Sequence, residues 1–297
     1  MNKKVSIIIP VYNGKNYLEV LLPSVMDQDY DDYEVIIVDD TSTDKSIIPY
    51  IKENFPGIRV IQNTQNLGFP LSCNVGIRAS NSPYICLLNS DTVLDKSYLR
   101  KHAEFLDEHP GVGILGCKIM DEDGKIQSSG VIFKDGHPLF FTDDTDKVRY
   151  VEHVDFVGAF IRREIFEKYG LLSPDYFMKF DDCDFCLRVS KESDYKMAIL
   201  PEGLIKHFGR SNSMSPYDNI FYYCRNLLVL QKKYFPEEVK KSLVKRIPEV
   251  LLSRIKEGFK HPRTMPANIG MIFKGISGAV SGIKFKAGQS GDYKERL

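Results

Sequence analysis

The sequence predicts an α/β protein with a doubly wound, mostly parallel sheet and a helical C-terminal extension. Over the first 117 residues, short apolar runs alternate with longer segments whose apolar residues recur at helical spacing. Short connections and this alternation are typical of a parallel sheet with helices on both faces. A chain of 297 residues with 43% hydrophobic content is long enough to bury the core of such a fold.

Each element of the first half follows from its local pattern. Apolar runs predict strands at Val5–Ile9, Glu34–Val38, Ile58–Ile61, Tyr84–Leu88 and Val112–Cys117. Helical spacing predicts helices at Asn16–Met26, Asp44–Asn54, Pro70–Ala79 and Lys96–His109. Asp44 is expected to cap the second of these helices, since a short acidic side chain can accept a hydrogen bond from a free backbone N–H.

The second half is less regular. Residues 118–155 alternate weakly around a turn at Asp121–Lys125, which predicts an antiparallel excursion over the face of the sheet where the strands end. A strand is expected within Val154–Phe160, and another at Tyr195–Leu200 that ends at Pro201. Helices are predicted at Arg163–Tyr169, Asp181–Lys191, Asn219–Tyr234 and, in the C-terminal extension, over 237–260 and 267–286.

Cysteine usage and hydropathy point to a reduced, cytoplasmic protein. The six cysteines lie mostly in apolar segments, where a thiol packs as a small hydrophobe. Cys183 and Cys186 form a C-x-x-C, which leaves metal or redox use as an alternative, although no second pair at zinc spacing accompanies it. No signal peptide or membrane-spanning stretch is recognisable.

The net charge of zero conceals a segregation of charge. Residues 236–297 contain 13 Lys and Arg against 6 Asp and Glu, whereas residues 1–235 contain 27 against 34. The basic extension is therefore expected to face an anionic partner, and an anionic membrane surface is the candidate, peripheral on the inner face. Packing on the catalytic part or in a homodimer is the alternative. Nucleic-acid binding is not expected, because no recognisable module accompanies the charge.

Carboxylates follow two of the predicted strands where each strand ends. Asp39 and Asp40 come directly after the second strand, and Asn89-Ser90-Asp91 follows the strand Tyr84–Leu88. In open α/β sheets, ligands bind in the crevice at the carboxyl ends of the strands. Carboxylates with little positive charge beside them predict a site for a cation and for an anionic group that this cation neutralises. The sequence therefore favours an enzyme acting on a nucleotide-activated substrate.

These residues also resemble a family. Val5–Asn13 followed by Val38–Asp44 is similar to the amino-terminal signature of glycosyltransferase family 2, and the similarity continues in order to about residue 235. The later matching segments are Asn66–Gly68, Asn74–Gly76, Leu87–Asp91, Val157–Phe160 with Arg162 and Arg163, and Phe180–Arg188. The resemblance implies an A-type glycosyltransferase fold with a nucleotide-sugar-binding sheet, a catalytic domain over 1–235 and a basic amphipathic extension over 236–297. It implies a metal-dependent, inverting hexosyltransferase.

The resemblance places a divalent metal, Mn²⁺ or Mg²⁺, at Asp91 and His207. Asn89 stands where the family's D-x-D motif has its first carboxylate, and an amide binds metal more weakly. The alternative for Asp91 is to cap a helix over Thr92–Leu99, and the alternative for His207 is a structural role. Imidazole beside carboxylate favours Mn²⁺ slightly.

The expected base is Asp182, which lies in the first turn of a helix and matches the family's catalytic position. A single displacement with inversion needs one base that accepts the proton of the acceptor hydroxyl. Asp181 stands in place of the usual Glu and is the alternative base.

The remaining site residues are expected to contact the donor. Asp40 would accept a hydrogen bond from the pyrimidine N3–H, which uracil and thymine share. The other predicted nucleotide contacts are Pro10, Tyr12, Asn13, Asn66, Gly68, Asn74, Asn89 and Ser90. The predicted substrate or phosphate contacts are Gly158, Ala159, Asp181, Arg210 and Arg225, with Arg78 as a further candidate.

The donor sugar is predicted from a short segment. Phe221–Asn226 with Lys232–Pro236 resembles a rhamnosyltransferase-like branch, which implies dTDP-rhamnose as donor. The alternatives are UDP-hexose, UDP-galactofuranose, or a non-catalytic nucleotide-sugar-binding module. The expected acceptor is a saccharide or lipid-linked saccharide in cell-surface polysaccharide synthesis. A dinucleotide-dependent oxidoreductase is not favoured, because no G-x-G-x-x-G follows the first strand.

Overall fold

A computed structural model describes residues 3–208, 215–260 and 265–285. Within them, a ten-stranded mixed sheet forms the centre of the molecule, and its main path runs in the order β10-β12-β6-β11-β4-β1-β2-β3. The strands are β1 (Val5–Val11), β2 (Tyr33–Asp39), β3 (Arg59–Gln62), β4 (Tyr84–Leu88), β5 (Thr92–Leu94), β6 (Val112–Met120), β7 (Ile126–Ser128), β8 (Val131–Lys134), β9 (His137–Phe140), β10 (Arg149–Val151), β11 (Gly158–Arg162) and β12 (Lys196–His207).

The helices lie between and after these strands. They are α1 (Lys15–Met26), α2 (Ile47–Asn54), α3 (Phe69–Ala79), α4 (Tyr98–Glu108), α5 (Arg163–Tyr169), α6 (Asp181–Glu192), α7 (Pro216–Tyr234), α8 (Val239–Lys241), α9 (Ile247–Lys260) and α10 (Met265–Lys284). A short 3₁₀ turn, Pro236–Glu238, precedes α8, and a π-helical segment, Ser242–Arg246, follows it.

The doubly wound, mostly parallel sheet is confirmed. Strands β3, β2, β1 and β4 are parallel, β6 is parallel to β12, and β11 runs antiparallel between β4 and β6. One hydrophobic cluster lies on each face of the sheet, so the strands are buried on both sides. The chain passes from β1 to β2 on one side and returns to β4 on the other. Ligands bind at such a reversal of strand order.

Three local predictions differ from the structure. Helix α2 begins at Ile47 rather than Asp44, because Asp44 Oδ1 accepts hydrogen bonds from Ser46 N at 2.9 Å and Ser46 Oγ at 2.7 Å in a turn before the helix. Strand β11 begins at Gly158 rather than at Val154. Strand β12 does not end at Pro201, since an irregularity between Leu200 and Ile205 carries the strand on to His207.

The irregular middle of the chain forms antiparallel strands, as predicted. Strand β7 pairs with β6, β10 pairs with β12, and β8 and β9 form a separate hairpin. A third hydrophobic cluster surrounds α7 and includes residues of α6, α9 and α10. Within the described residues, we find no helix with the length and hydrophobicity that a bilayer span requires.

Candidate active site

A cavity of about 550 Å³ opens at the carboxyl ends of β1 and β4, where the strand order reverses. Residues from the chain segments that follow β1, β2, β4 and β12, and from the start of α6, line it together. Twelve of the residues predicted for the site are among them: Pro10, Tyr12, Asn13, Asp40, Asn66, Gly68, Asn89, Ser90, Asp91, Asp181, Asp182 and His207. Segments distant in sequence therefore form one site.

Asp40 fixes one wall of the cavity. Its Oδ1 accepts hydrogen bonds from Asn63 Nδ2 and Leu67 N, both at 2.8 Å, and its Oδ2 accepts one from Gly68 N at 2.9 Å. Gly68 has φ 79°, and a Cβ there would lie 2.2 Å from the carbonyl oxygen of Phe177. Only glycine fits this close approach. Oδ2 accepts this single bond among those described, which leaves acceptor capacity for a ligand.

Asn13 joins the loop after β1 to the loop after β2. Its Oδ1 accepts hydrogen bonds from Thr43 N and Thr43 Oγ1, both at 3.0 Å, and from Asp44 N at 3.2 Å. Asn13 itself adopts φ 59°, a conformation that asparagine tolerates better than most residues. The loops after β1 and β2 are therefore tied together before any ligand binds.

Asp91 and His207 approach each other on the far side of the cavity. Asp91 Oδ1 lies 3.5 Å from His207 Nε2, and Phe208 N donates to the backbone oxygen of Asp91 at 2.9 Å. Strand β5 pairs with the end of β12 and brings the two residues together. Residues 92–94 form this strand, so the alternative that Asp91 caps a helix over Thr92–Leu99 is wrong.

The hydrogen bonds of His207 determine which nitrogen is available. Gln127 Nε2 donates to the His207 backbone oxygen at 3.0 Å, which orients the amide so that Gln127 Oε1 lies 3.0 Å from His207 Nδ1. In neutral His207, Nδ1 therefore carries the proton and Nε2 presents its lone pair beside Asp91. Metal-binding histidines are commonly oriented by such a second hydrogen bond.

The residues present fit a divalent cation. A carboxylate oxygen and an unprotonated imidazole nitrogen 3.5 Å apart are both within reach of one ion, since ligand distances are about 2.0–2.2 Å. Oxygen and imidazole ligands suit Mn²⁺ and also Mg²⁺. The side chain of Asn89 lines the same cavity and offers a neutral oxygen.

Asp182 is held by a buried histidine that the sequence analysis did not identify. Asp182 Oδ2 lies 3.3 Å from His153 Nε2, and Asp182 Oδ1 accepts a hydrogen bond from Cys183 N at 2.7 Å. His153 is 1% exposed, whereas the side chain of Asp182 is 24% exposed and reaches the cavity. The carboxylate is therefore fixed from behind and open towards a ligand.

Charges around this pair set its protonation. Burial lowers the pKa of His153, but the neighbouring carboxylates, Asp182 above all, raise it more. Burial raises the pKa of Asp182, but the attraction and hydrogen bond of His153 lower it below its ordinary value. Burial and the charge of Asp182 raise the pKa of Asp181 well above its ordinary value. Of the two adjacent acids, Asp182 is therefore the one that ionises at the lower pH.

A strained turn positions the start of α6. Lys179 and Phe180 both have φ 64°, which costs energy for residues with a Cβ. Asn226 of α7 stabilises this turn, because its Nδ2 donates to the backbone oxygens of Met178 at 2.8 Å and Lys179 at 3.0 Å. Lys179 lines the cavity, and burial lowers its pKa. It brings a cationic side chain into a cavity that is lined mainly by polar and acidic side chains.

The cavity also contains an acid that was not predicted. Asp155 lines it, and Ser128 Oγ donates to Asp155 Oδ2 at 2.6 Å. Burial raises the pKa of Asp155. Neither His153 nor Asp155 nor Gln127 follows a strand or belongs to a motif, so no signal in the sequence identified them.

Five other predicted contacts lie away from the cavity lining. Asn74 bonds the backbone of Leu172 with both ends of its amide, at 2.8 and 3.0 Å. Gly158 and Ala159 are buried in β11, where the Gly158 oxygen accepts from Tyr98 O–H. Arg225 donates to the Asp175 oxygen at 2.7 Å, and Arg78 lines a separate, smaller pocket. Arg210 lies outside the described residues.

The C-x-x-C pair is not used as a disulfide, because all six cysteines are free. Cys183, His153 and Asp182 offer sulfur, nitrogen and oxygen atoms within 4.8 Å of one another, a spacing that would suit a metal. Burial and the nearby acids raise the pKa of the Cys183 thiol well above its ordinary value, and a protonated thiol is a poor ligand. The Nε2 atom of His153 already bonds Asp182, so these residues are arranged to hold the carboxylate.

Comparison with known proteins identifies the family. The sequence model described as Glycosyl transferase family 2 matches residues 6–170, more than half of the chain. The chain belongs to glycosyl transferase family 2. Its resemblance to this family and its A-type glycosyltransferase fold are thereby confirmed. The rhamnosyltransferase-like branch stays a prediction.

Individual family members share limited identity with the chain. An uncharacterized glycosyltransferase of Haemophilus influenzae is 24% identical over 224 residues, which cover 72% of this chain and 68% of that protein. The putative teichuronic acid biosynthesis glycosyltransferase TuaG of Bacillus subtilis is 33% identical over 123 residues, or 40% of this chain and 49% of that protein. The match thus spans about half the length of TuaG.

A solved structure shares the fold. The crystal structure of GalNAc-T7 with UDP, GalNAc and Mn²⁺ has a TM-score of 0.63 and 14% sequence identity, and the match covers 78% of this chain and 48% of that one. At this identity the similarity supports the fold alone.

Proposed function

We propose that this protein is an inverting glycosyltransferase that moves a sugar from a pyrimidine nucleoside-diphosphate sugar to a saccharide or lipid-linked saccharide. The observation that carries the proposal is the cavity, in which Asp40, Asp91, His207 and Asp182 meet at the strand reversal. This transfer requires three features: residues that bind the nucleotide of the donor, a cation site, and an ionised carboxylate. Because TuaG is named for teichuronic acid biosynthesis, we place the reaction in cell-surface polysaccharide synthesis.

The roles of the residues follow from their positions. The free acceptor capacity of Asp40 Oδ2 would bind the N3–H of uracil or thymine. Asp91 and His207 would hold a divalent cation, which supplies positive charge to the departing diphosphate. Asp182, ionised and exposed on the cavity side, would accept the proton of the acceptor hydroxyl as the bond to the sugar forms. Asp181 is less suited to accept it, because burial and the charge of Asp182 raise its pKa.

The nucleotide is proposed as uridine or thymidine diphosphate. UDP is the nucleotide in the GalNAc-T7 structure of the same fold, and the sequence resemblance predicts dTDP-rhamnose. Asp40 recognises a feature common to both bases, so a donor panel must separate them. We expect turnover of one donor among dTDP-rhamnose, UDP-N-acetylhexosamines, UDP-hexoses and UDP-galactofuranose, and loss of that turnover on chelation with recovery on adding Mn²⁺ or Mg²⁺.

Asp182→Asn tests the assigned base. Removal of a general base lowers the rate by about 10²–10⁴-fold, whereas nucleotide binding, measured by calorimetry with UDP or dTDP, should be retained. Asp181→Asn is the matched control, and we expect it to cost far less, because burial and the charge of Asp182 make the Asp181 carboxyl hold its proton to higher pH than Asp182 does. If Asp181→Asn abolishes transfer and Asp182→Asn does not, the base is Asp181. A panel without turnover of any donor by the unaltered protein would contradict the proposed reaction.

A further inference from the structure

Helix α10 presents a row of large apolar side chains that the rest of the described structure does not cover. Ile269, Phe273, Ile276, Val280 and Ile283 are between 43% and 69% exposed. Their spacing of four, three, four and three residues places them on one face of the helix. We call these five residues the apolar stripe.

The opposite face of α10 is fully used in packing. A Cβ at Gly278 would lie 2.2 Å from the backbone oxygen of Phe221, and one at Gly282 would lie 2.7 Å from that of Arg225. Helix α10 therefore lies directly on α7 through its glycines, with Ala279 and Asn268 buried beside them. The apolar stripe faces away from the protein because the other side of the helix is held so closely.

Charge indicates which partner covers the apolar stripe. Helix α10 contains no acidic residue, and its two lysines are exposed: Lys284, and Lys274, which lies 3.8 Å from Asp218 of α7. The C-terminal extension as a whole contains 13 basic and 6 acidic residues. A second copy of this face would bring like charges together, whereas an anionic lipid surface would attract them. An exposed apolar helix face with basic side chains beside it is suited to binding in a bilayer interface.

The position of α10 relates this surface to the cavity. Gly270 packs against Tyr217, Gly278 against Phe221 and Gly282 against Arg225, so α10 runs parallel to α7. Asn219, two residues after Tyr217, lines the cavity. The amino-terminal end of α10 therefore lies near the cavity, and a surface that binds α10 lies near it too.

We propose that the apolar stripe of α10 is the face by which this protein binds a bilayer that carries anionic headgroups. The binding does not depend on the proposed reaction. Its consequence, that the cavity is held close to a lipid-linked acceptor, does rest on the proposed function.

The test uses the full chain and vesicles of two compositions, phosphatidylcholine alone and phosphatidylcholine with phosphatidylglycerol. Co-sedimentation at low salt should show binding to the anionic vesicles that is at least about tenfold tighter than to the neutral ones, and that weakens at high salt. The double variant Ile269→Ser, Ile276→Ser should weaken binding about tenfold or more, because it removes apolar contact with the interface.

A control with matched exposure is available on the hairpin β8–β9. Leu139 and Phe140 are 48% and 47% exposed, close to the 46% and 48% of Ile269 and Ile276. The variant Leu139→Ser, Phe140→Ser should bind vesicles like the unaltered protein. Circular dichroism and thermal unfolding confirm that both double variants are folded.

Three outcomes would overturn the inference. The first is no binding to anionic vesicles at low salt, and the second is equal binding by the two double variants. The third is a dimer in solution that the Ile269→Ser, Ile276→Ser variant alone fails to form, which would assign the apolar stripe to self-association. Donor turnover measured without vesicles separates this result from the proposed function. If vesicle binding depends on the apolar stripe but no donor is turned over, the membrane-binding surface is supported and the proposed reaction is contradicted.

Discussion

At the scale of single residues, the pair His153–Asp182 determines when the assigned base is ionised. His153 is buried and bonded to the carboxylate at 3.3 Å, and its pKa is raised by the acids around it. Its charge outweighs the burial that would otherwise raise the pKa of Asp182. His153 does not line the cavity and acts through Asp182, so we regard it as a positioning residue.

His153→Gln is expected to shift the pH dependence of transfer. Without the attraction and hydrogen bond of His153, burial would raise the pKa of Asp182. The base is active when ionised, so the acidic limb of the kcat/KM profile should move to higher pH, while the affinity for the nucleotide changes little. His109→Gln is the control, because His109 stacks on Phe105 and does not line the cavity. An acidic limb at the same pH in both variants would assign His153 a purely structural role.

Residues at the site differ in how well the sequence predicts them. Asp40 and Asn89–Asp91 follow apolar runs directly, and parallel strands bring their carboxyl ends to one edge, so their meeting could be predicted. His153 contacts Asp182 across 29 positions, and Gln127 contacts His207 across 80. No local pattern predicts such contacts, because they join segments that come together only in the folded protein. Arg225 and Asn74 were expected at the cavity for their chemistry, but each is occupied by a backbone contact elsewhere.

At the scale of elements, the packing of α10 on α7 predicts whether Gly278→Ala stabilises or destabilises the protein. Alanine has a higher helix propensity than glycine by about 1 kcal/mol, so propensity alone predicts that Gly278→Ala stabilises the protein. The new Cβ, however, would lie 2.2 Å from the Phe221 backbone oxygen, and such overpacking costs about 1–3 kcal/mol. We expect the melting temperature to fall.

Ser277→Ala is the control for this substitution. Ser277 is an exposed neighbour on the same helix, so the same residue is introduced without the contact. Thermal unfolding should show an unchanged or slightly raised melting temperature for Ser277→Ala and a lowered one for Gly278→Ala. A stabilised Gly278→Ala protein would mean that α10 does not lie this closely on α7.

Elements were predictable where the chain obeys a single local pattern. The strands β1 to β4 and the helices α1 to α4 were predicted to within a few residues, because apolar runs and helical spacing set them, whereas the three-residue strand β5 was not predicted. The predicted end of β12 at Pro201 was wrong. Proline and glycine ordinarily weaken or end a strand, and Pro201 and Gly203 lie close together here. In the structure, an irregularity at these residues removes them from the ladder, and pairing with β5 and β6 continues to His207. That continuation is what brings His207 to Asp91.

At the scale of the whole molecule, the division at residue 235 that the family resemblance and the charge segregation predict coincides with no gap in the packing of the described residues. Tyr176 and Phe180, next to the site, share a hydrophobic cluster with Leu227, and Ile247 and Ala279 of the extension belong to the same cluster. Polar contacts join the same parts, since Ser242 Oγ lies 3.3 Å from His137 Nε2, and Lys232 donates to the Phe285 oxygen at 3.0 Å. The catalytic part and the extension are built on one core.

A chain that ends at residue 235 should therefore not fold stably. Removal of the extension would expose apolar side chains of α7, among them Ile220 and Cys224, which are 5% and 0% exposed. Each large apolar side chain contributes about 1.5–3 kcal/mol when buried. Loss of several such contributions is comparable with the whole stability of about 5–15 kcal/mol that is typical of a protein. We expect aggregation or a strongly lowered melting temperature, and weaker nucleotide binding, because Asn226 of α7 holds the turn before Asp181.

Co-expression of residues 236–297 with residues 1–235 distinguishes lost packing from an unrelated defect. If the extension acts through the shared core, the separate segment should restore soluble protein and nucleotide affinity, both measured on the co-purified complex. A shortened chain that is soluble, unfolds at the temperature of the full chain and binds UDP or dTDP equally would show instead that the extension is an independent domain. In that case the basic segment would serve the membrane contact alone, and the α7 surface that it covers would be expected to bind another apolar partner.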